Sequence, residues 1–379
     1  MAKGKTIDDF KNDIDPDPFV LEEKAELRAL RAQVTKLKRS IAQREGLMSE
    51  LADIASGAPV RSEFVPLDPV MQDPSKKKRI SEDAVLLLGD LHADAIVPPE
   101  HVQGFEDFNF RAVCHRAEHM VDTAIRFLHE IMSGYKFSRL YVFVLGDLVS
   151  GEIHNLKAHT EWRDTFKSCL AVSELMAMIL SDLSRWFDSV HVVCVPGNHG
   201  RRSTRIDWKA PTENWDWLVM QQTKIRCQAA IDSGHLDIQI PEAWSTVVEV
   251  QGFNFLLQHG HQNKQNSLGL PHYGLDRRMK HLITLGAVRK IVYHYFIYAH
   301  YHRPLEMDQP TGSTFINGAF PATDEYTLEE LAGYTDPRQL LFGVHPEKGA
   351  TWRFPINLRR TDWASSEKTT PKRYQISIS

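Results

Sequence analysis

The sequence has few cysteines, no long apolar run and almost no net charge. Its four cysteines, Cys114, Cys169, Cys194 and Cys227, lie far apart and form no CxxC pair. That leaves no disulfide framework and no structural zinc ribbon to organise the chain. No stretch approaches the roughly 18 apolar residues that span a bilayer. The start, MAKGKTIDDF, has no apolar segment of the kind that directs secretion. The expectation is a cytoplasmic protein with no membrane partner. A formal net charge of -4 gives no global attraction to polyanions, so affinity for phosphate backbones must rest on local patches. What the sequence does have is histidine, 18 copies of it, the side chain used for metal ligation and proton transfer near neutral pH.

Three regions follow from composition. Residues 1–55 read as a polar arm and then a heptad helix. Val20, Leu27, Val34, Ile41 and Met48 form one series, and Leu30, Leu37 and Leu51 the other, with Glu23 and Arg44 as polar breaks. β-branched residues in the first series with leucines in the second suit a parallel two-stranded coiled coil, and hence a homo-oligomer through residues 20–51. An amphipathic helix packed on its own domain is the alternative. Residues 56–81 read as a linker punctuated by Gly57, Pro59, Pro66, Pro69 and Pro74, with Lys76, Lys77, Lys78 and Arg79 near its end. Residues 82–379 form the main domain.

In that domain apolar runs at 84–89, 139–146, 190–196, 246–258 (bent at Gly252) and 291–299 predict strands. Amphipathic stretches at 111–133, 165–187 and 214–232 predict helices between them. Near-continuous apolar strands alternating with helices argue for an α/β core whose sheet is buried on both faces.

Each predicted strand ends in polar residues beside a small one: Gly89-Asp90-Leu91-His92, Gly146-Asp147, Gly197-Asn198-His199, His259-Gly260-His261 and Ala299-His300-Tyr301-His302. Ligands of open α/β sheets bind beyond the carboxyl ends of strands, so these five groups can converge on one crevice. Asp-x-His and His-x-His spacing puts two ligands on one face of an extended strand. Carboxylate, imidazole and one amide oxygen, without thiolate, suit manganese, iron, zinc or nickel better than calcium.

The order Asp-x-His, Gly-Asp, Gly-Asn-His, His-Gly, x-His-x-His resembles the signature of calcineurin-like metallophosphoesterases across residues 84–302. The segment Thr314-Phe315-Ile316-Asn317-Gly318-Ala319-Phe320-Pro321 is similar to that family's returning strand. In overall style the chain is also similar to members encoded by bacteriophages. The resemblance implies an α/β fold, a four-layer αββα sandwich, and a dinuclear centre, with Mn²⁺ the first choice and Fe, Zn or Ni the others. It implies that Asp90, His92 and His302 hold one metal, that Asn198, His259 and His300 hold the other, and that Asp147 bridges them. His199 is then no ligand but a catalytic residue at the scissile phosphate. Two positions depart from the family pattern. Gly200 stands where an acidic residue often follows Asn-His, and Ala299 stands where glycine usually opens the last motif. If position 299 needed a left-handed backbone, alanine would cost roughly 1–2 kcal/mol.

Two cations clamp the oxygens of a phosphate undergoing in-line attack and acidify a water, and positioning and electrostatics supply most of such catalysis. The expected activity is a phosphodiesterase or nuclease acting on nucleic acid. Arg201, Arg202, Arg205 and Lys209 follow the third motif, with a second basic stretch at Arg277, Arg278, Lys280 and His281. Trp208, Trp215, Trp217, Tyr273 and Tyr301 are candidates for stacking bases. A phosphatase or phosphodiesterase acting on phosphoproteins or small molecules would use the same metals with another pocket. A non-enzymatic oligomeric scaffold is the third reading.

Overall fold

The computed structural model describes residues 18–57, 79–263, 272–309, 311–359 and 371–378. The chain divides into two compact units, Met1–Asp73 and Pro74–Ser379. In the first, α1 runs Pro18–Gly57 as one unbroken helix. Leu27, Leu30, Val34, Leu37, Ile41 and Met48 of its heptad series are all exposed. The polar arm before it and residues 58–78 of the linker lie outside the described residues.

The second unit opens with β1 (Ile80–Leu88), followed by α2 (Phe110–Arg126), β2 (Tyr135–Val144), α3 (Thr165–Ser184) and β3 (Ser189–Cys194). Then come α4 (Trp215–Arg226), α5 (Gln228–Asp232), β4 (Leu236–Gln239), β5 (Ser245–Val250), β6 (Phe253–Gln258), α6 (His272–Val288) and β7 (Tyr295–Tyr298). The last elements are β8 (Leu305–Gln309), β9 (Gly312–Ile316), α7 (Glu325–Leu331), β10 (Arg338–His345) and β11 (Gly349–Asn357). Asn109, Asp164 and Asn214 cap α2, α3 and α4, each side chain accepting from an amide of the first turn.

These strands make two sheets, in the orders β11-β10-β1-β2-β3-β4 and β5-β6-β7-β9-β8. Strand periodicity explains how they stack. In β1, Ala84, Leu86 and Leu88 face a core shared with Val113, Ala117 and Met120 of α2, Leu175 and Ile179 of α3, and Val219 of α4. The alternate residues Val85 and Leu87 face the other sheet, meeting a core that contains Phe255, Leu257, Ile297 and Phe315. Beyond that second sheet, Leu256, Phe296, Tyr298 and Ile316 pack with Leu275 and Met279 of α6. Helices, sheet, sheet, helix: this is the expected four-layer αββα order.

β1, β2 and β3 are parallel neighbours, and so are β6, β7 and β9. The carboxyl ends that carry the motifs are thus gathered within each sheet. Among the described residues no helix is long and apolar enough to cross a membrane.

Candidate metal centre

All five motif segments follow the carboxyl ends of their strands, and in three of them the ligands sit on left-handed turns. Asp90, His92, Asp147, His300 and His302 have φ of 49°, 41°, 52°, 72° and 54°, the left-handed region. The expectation that Asp-x-His and His-x-His share a face of an extended strand is therefore corrected: the pairs sit on tight turns past the strand. A related correction concerns Ala299, which is not left-handed; its neighbour His300 is. Alanine there is buried in the inter-sheet core and carries no backbone penalty.

Close backbone approach explains two glycines. A β-carbon at Gly197 would stand 2.1 Å from Asp147 Oδ1. One at Gly200 would meet Asn214 Oδ1 at 2.2 Å and the Asp216 carboxyl carbon at 3.0 Å. The departure at Gly200 thus has a physical reason, because two side chains from the start of α4 already fill that space.

The candidate ligands meet in overlapping groups. Asp90, His92 and His302 bring one ligand atom each within 4.8 Å of one another, as do Asp147, His259 and His300. A third group joins His92, Asp147 and His199. Asn198 belongs with the second set, its Oδ1 lying 3.0 Å from His259 Nε2. Asp147 Oδ2 is also 3.0 Å from that nitrogen. The first sheet supplies Asp90, His92, Asp147 and Asn198, and the second supplies the three remaining histidines. The candidate ligands thus meet where the two sheets of the αββα sandwich come together.

Whether these residues suit cations can be tested on their own atoms. His259 Nδ1 donates to Leu145 O at 2.6 Å, which fixes the tautomer and turns Nε2 toward Asp147 and Asn198. Burial disfavours charge on this ring, but the Asp147 carboxylate pushes its pKa up to about 9. Burial likewise works against charge on Asp147, and His259 overcomes it, holding the carboxyl well below its usual range. A proton on Nε2 thus draws in the oxygens that would otherwise gather around a cation. In the other set, His92 Nε2 and His302 Nε2 face each other at 3.2 Å, and burial keeps His92 neutral. Among the described residues Asp90 Oδ1 is buried without a hydrogen-bond partner, while Oδ2 accepts from the His300 amide at 2.8 Å. Converging lone pairs and an orphaned carboxylate oxygen are what a divalent ion satisfies.

His199 stands beside both sets. Its amide donates to Asp147 Oδ1 at 2.7 Å, its ring meets His92 edge-on at 4.8 Å, and Nδ1 lies 3.3 Å from Ser150 O. The three arginines separate. Arg201 is half-buried and within electrostatic reach of Asp147. Arg202 and Arg205 are exposed, and the Arg202 guanidinium lies over the Trp215 ring at 5.9 Å. Among the aromatic candidates, Trp215 and Tyr301 are buried, whereas Trp208 and Tyr273 are exposed.

Two positioning residues have no counterpart in the sequence reading. Asp216, fully buried, accepts from the amides of Asp147, Leu148 and Gly197, each at 2.9 Å. It ties the turn of the bridging ligand to the turn of the amide ligand. Burial and the nearby Asp147 charge raise its pKa to about 6, against the pull of those amides. Gln339 of β10 brackets Gly89, accepting from its amide at 3.0 Å and donating to its carbonyl at 3.2 Å. The Asn-x-Asp cap opening α4 was the only local signal for Asp216, and it names no distant partner. Asp216→Asn cannot accept all three bonds, so metal content after dialysis and kcat/KM should fall about 10–100-fold, as for other supports of metal ligands. Unchanged metal content and turnover would remove Asp216 from the centre.

No family model and no curated protein matches the sequence. Solved structures similar to the chain include Vps29 of Entamoeba histolytica complexed with zinc (13% identity, 72% of this chain and 99% of that one, TM-score 0.31). A phosphoesterase of E. coli, Yfce, aligns at 13% identity over 72% of this chain and 100% of its own, with TM-score 0.30. An archaeal phosphodiesterase aligns at 11% identity over 72% and 99%, with TM-score 0.32.

Proposed function

We propose that the protein is a calcineurin-like, dinuclear-metal-dependent phosphoesterase, and that its substrate is a phosphodiester of nucleic acid. The observation that carries this reading is Asp147, which stands in one ligand group with His92 and in another with His259 and His300. Asp90, His92 and His302 would hold one cation, and Asn198, His259 and His300 the other, with Asp147 common to both. When bound, the two ions supply charge neutralisation at the phosphate and acidify the attacking water. The donor set favours Mn²⁺ first, with Fe, Zn or Ni as alternatives.

The chain's own residues orient and protonate. The His199 amide steadies Asp147, while Ser150 O accepts from Nδ1 and leaves Nε2 to deliver a proton to the leaving oxygen. Arg201 adds positive charge on the Asp147 side of the site, where phosphate oxygens would gather.

Exposed Arg202, Arg205 and Lys209 favour an extended polyanion over a small monoester. The Mn²⁺-loaded protein should cleave single-stranded DNA or RNA and bis-p-nitrophenyl phosphate faster than p-nitrophenyl phosphate. Nucleic-acid binding by the metal-free protein should weaken as salt rises, with a log–log slope of roughly -0.7 per phosphate contact for single strands. Replacing Arg202 and Arg205 together by alanine should flatten that slope by one to two contacts' worth. Binding that ignores salt would shift the assignment to a phosphatase or phosphodiesterase of phosphoproteins or small molecules.

The exposed heptad series of α1 fits a second copy of the chain, wound in parallel. Light scattering should give an oligomer for wild type and a monomer for the Val34→Glu, Leu37→Glu variant. A monomeric wild type would end that assignment.

A further inference from the structure

Beside the second ligand set lies a group of buried polar atoms without hydrogen-bond partners among the described residues. The His261 ring sits 5.5 Å from His259 and 6.4 Å from His300, yet neither of its nitrogens has a hydrogen-bond partner among the described residues. Among the described residues Arg201 and Arg278 each keep a buried, unbonded Nε, and both guanidinium charges reach the His261 ring. The Tyr298 hydroxyl, on a fully buried side chain, has no hydrogen-bond partner among the described residues either, and the Arg278 charge also reaches it. Residues 264–271, which join β6 to α6, contain no carboxylate. Both arginines are half-buried, and a buried Nε–H left without an acceptor is costly unless an anion arrives to accept from it.

One wall of this group is aromatic. Trp208 stacks on His261 with rings 5.6 Å apart and 8° from parallel, and Trp244 meets the same ring edge-on at 5.4 Å. Trp244 Nε1 donates to Trp208 O at 3.1 Å, holding the pair together. Despite this packing Trp208 remains 53% exposed, so part of its surface is open to another flat group.

We propose that His261, Arg201 and Arg278 form a second anion subsite. It takes a substrate phosphate one linkage away from the scissile one, with the adjoining base against Trp208. The inference rests on the phosphodiesterase reading above and adds to it a polarity, since the flanking phosphate lies on the His259–His300 side of the reacting group. Guanidinium donors suit phosphate oxygens, and an indole face accepts any base.

The test compares thymidine dinucleotides that differ only in a terminal phosphate, with the full-length Mn²⁺-loaded protein. Wild type should favour one of pTpT and TpTp over TpT by about tenfold or more in kcat/KM, mainly through KM, as a charge-assisted contact implies. Arg278→Gln should cut that ratio to within about twofold, and Arg201→Gln should do the same if Arg278→Gln does not fold. Arg289→Gln, at an exposed position just past the end of α6, should keep it. Equilibrium binding of the same three dinucleotides to metal-free protein gives the ratio without turnover. Equal handling of all three by wild type, or a ratio that survives both subsite variants, overturns the subsite. Failure of wild type to hydrolyse bis-p-nitrophenyl phosphate at all would instead overturn the underlying phosphodiesterase reading.

Discussion

Asp147→Asn should lower phosphodiester turnover by about 10²–10³-fold or more, the scale seen when a group stabilising developing charge is lost, and should empty both metal places together. Wild type loaded with Mn²⁺ should approach two ions per chain by elemental analysis. The variant should fall well below one, because Asp147 stands in one ligand group with His92 and in another with His259 and His300. His302→Ala should weaken chiefly the place shared with Asp90 and His92, and His259→Ala chiefly the place shared with His300. That asymmetry separates a shared ligand from a general loss of folding. An Asp147→Asn protein that still carries two ions and turns over normally would sink the dinuclear assignment.

His199→Ala should leave metal content near the wild-type value while turnover falls by about 10²–10⁴-fold, the range for a positioned general acid. The substitution is clean, because the bond from position 199 to Asp147 Oδ1 comes from the backbone amide and survives it. What disappears is the imidazole, which also sits within ligand distance of His92 and Asp147. Elemental analysis therefore decides between two roles. Retained metal with lost turnover fits a proton donor, whereas marked metal loss makes His199 a ligand. Turnover at the wild-type level would deny it any part in the reaction.

The candidate ligands were legible because each follows an apolar run, and the end of a run is visible locally. Asp90 and His92 follow a buried strand, as do His300 and His302, and the chain has no freedom to hide them elsewhere. The four layers came only from the resemblance of the motif order, because residues 84–88 are all apolar and it is the structure that parts Val85 and Leu87 from Ala84, Leu86 and Leu88 between two cores. What failed was information held at a distance. Asp216 acts on amides that lie 69, 68 and 19 residues away, and Gln339 acts on Gly89 across 250. No periodicity near either residue reports such a partner. The hairpin of β10 and β11 was missed for a similar reason. β10 pairs antiparallel with β1, although the motifs all belong to parallel neighbours. The separation of Arg201 from Arg202 and Arg205 depends on which way one loop turns, and adjacent arginines look alike in a string.

The left-handed turns that carry Asp90, His92, Asp147, His300 and His302 have a bearing on whether the centre is used or vestigial. Each non-glycine residue there costs about 1 kcal/mol or more relative to an ordinary backbone, and glycine would relieve it without disturbing the strands. A chain selected only to fold, or only to assemble through α1, would gain stability from glycine at all five positions. Drift under such selection is downhill, toward a firmer scaffold with no ligands. The side chains at these turns oppose that slope, and under the dinuclear proposal bound cations would return the stability that the turns give up.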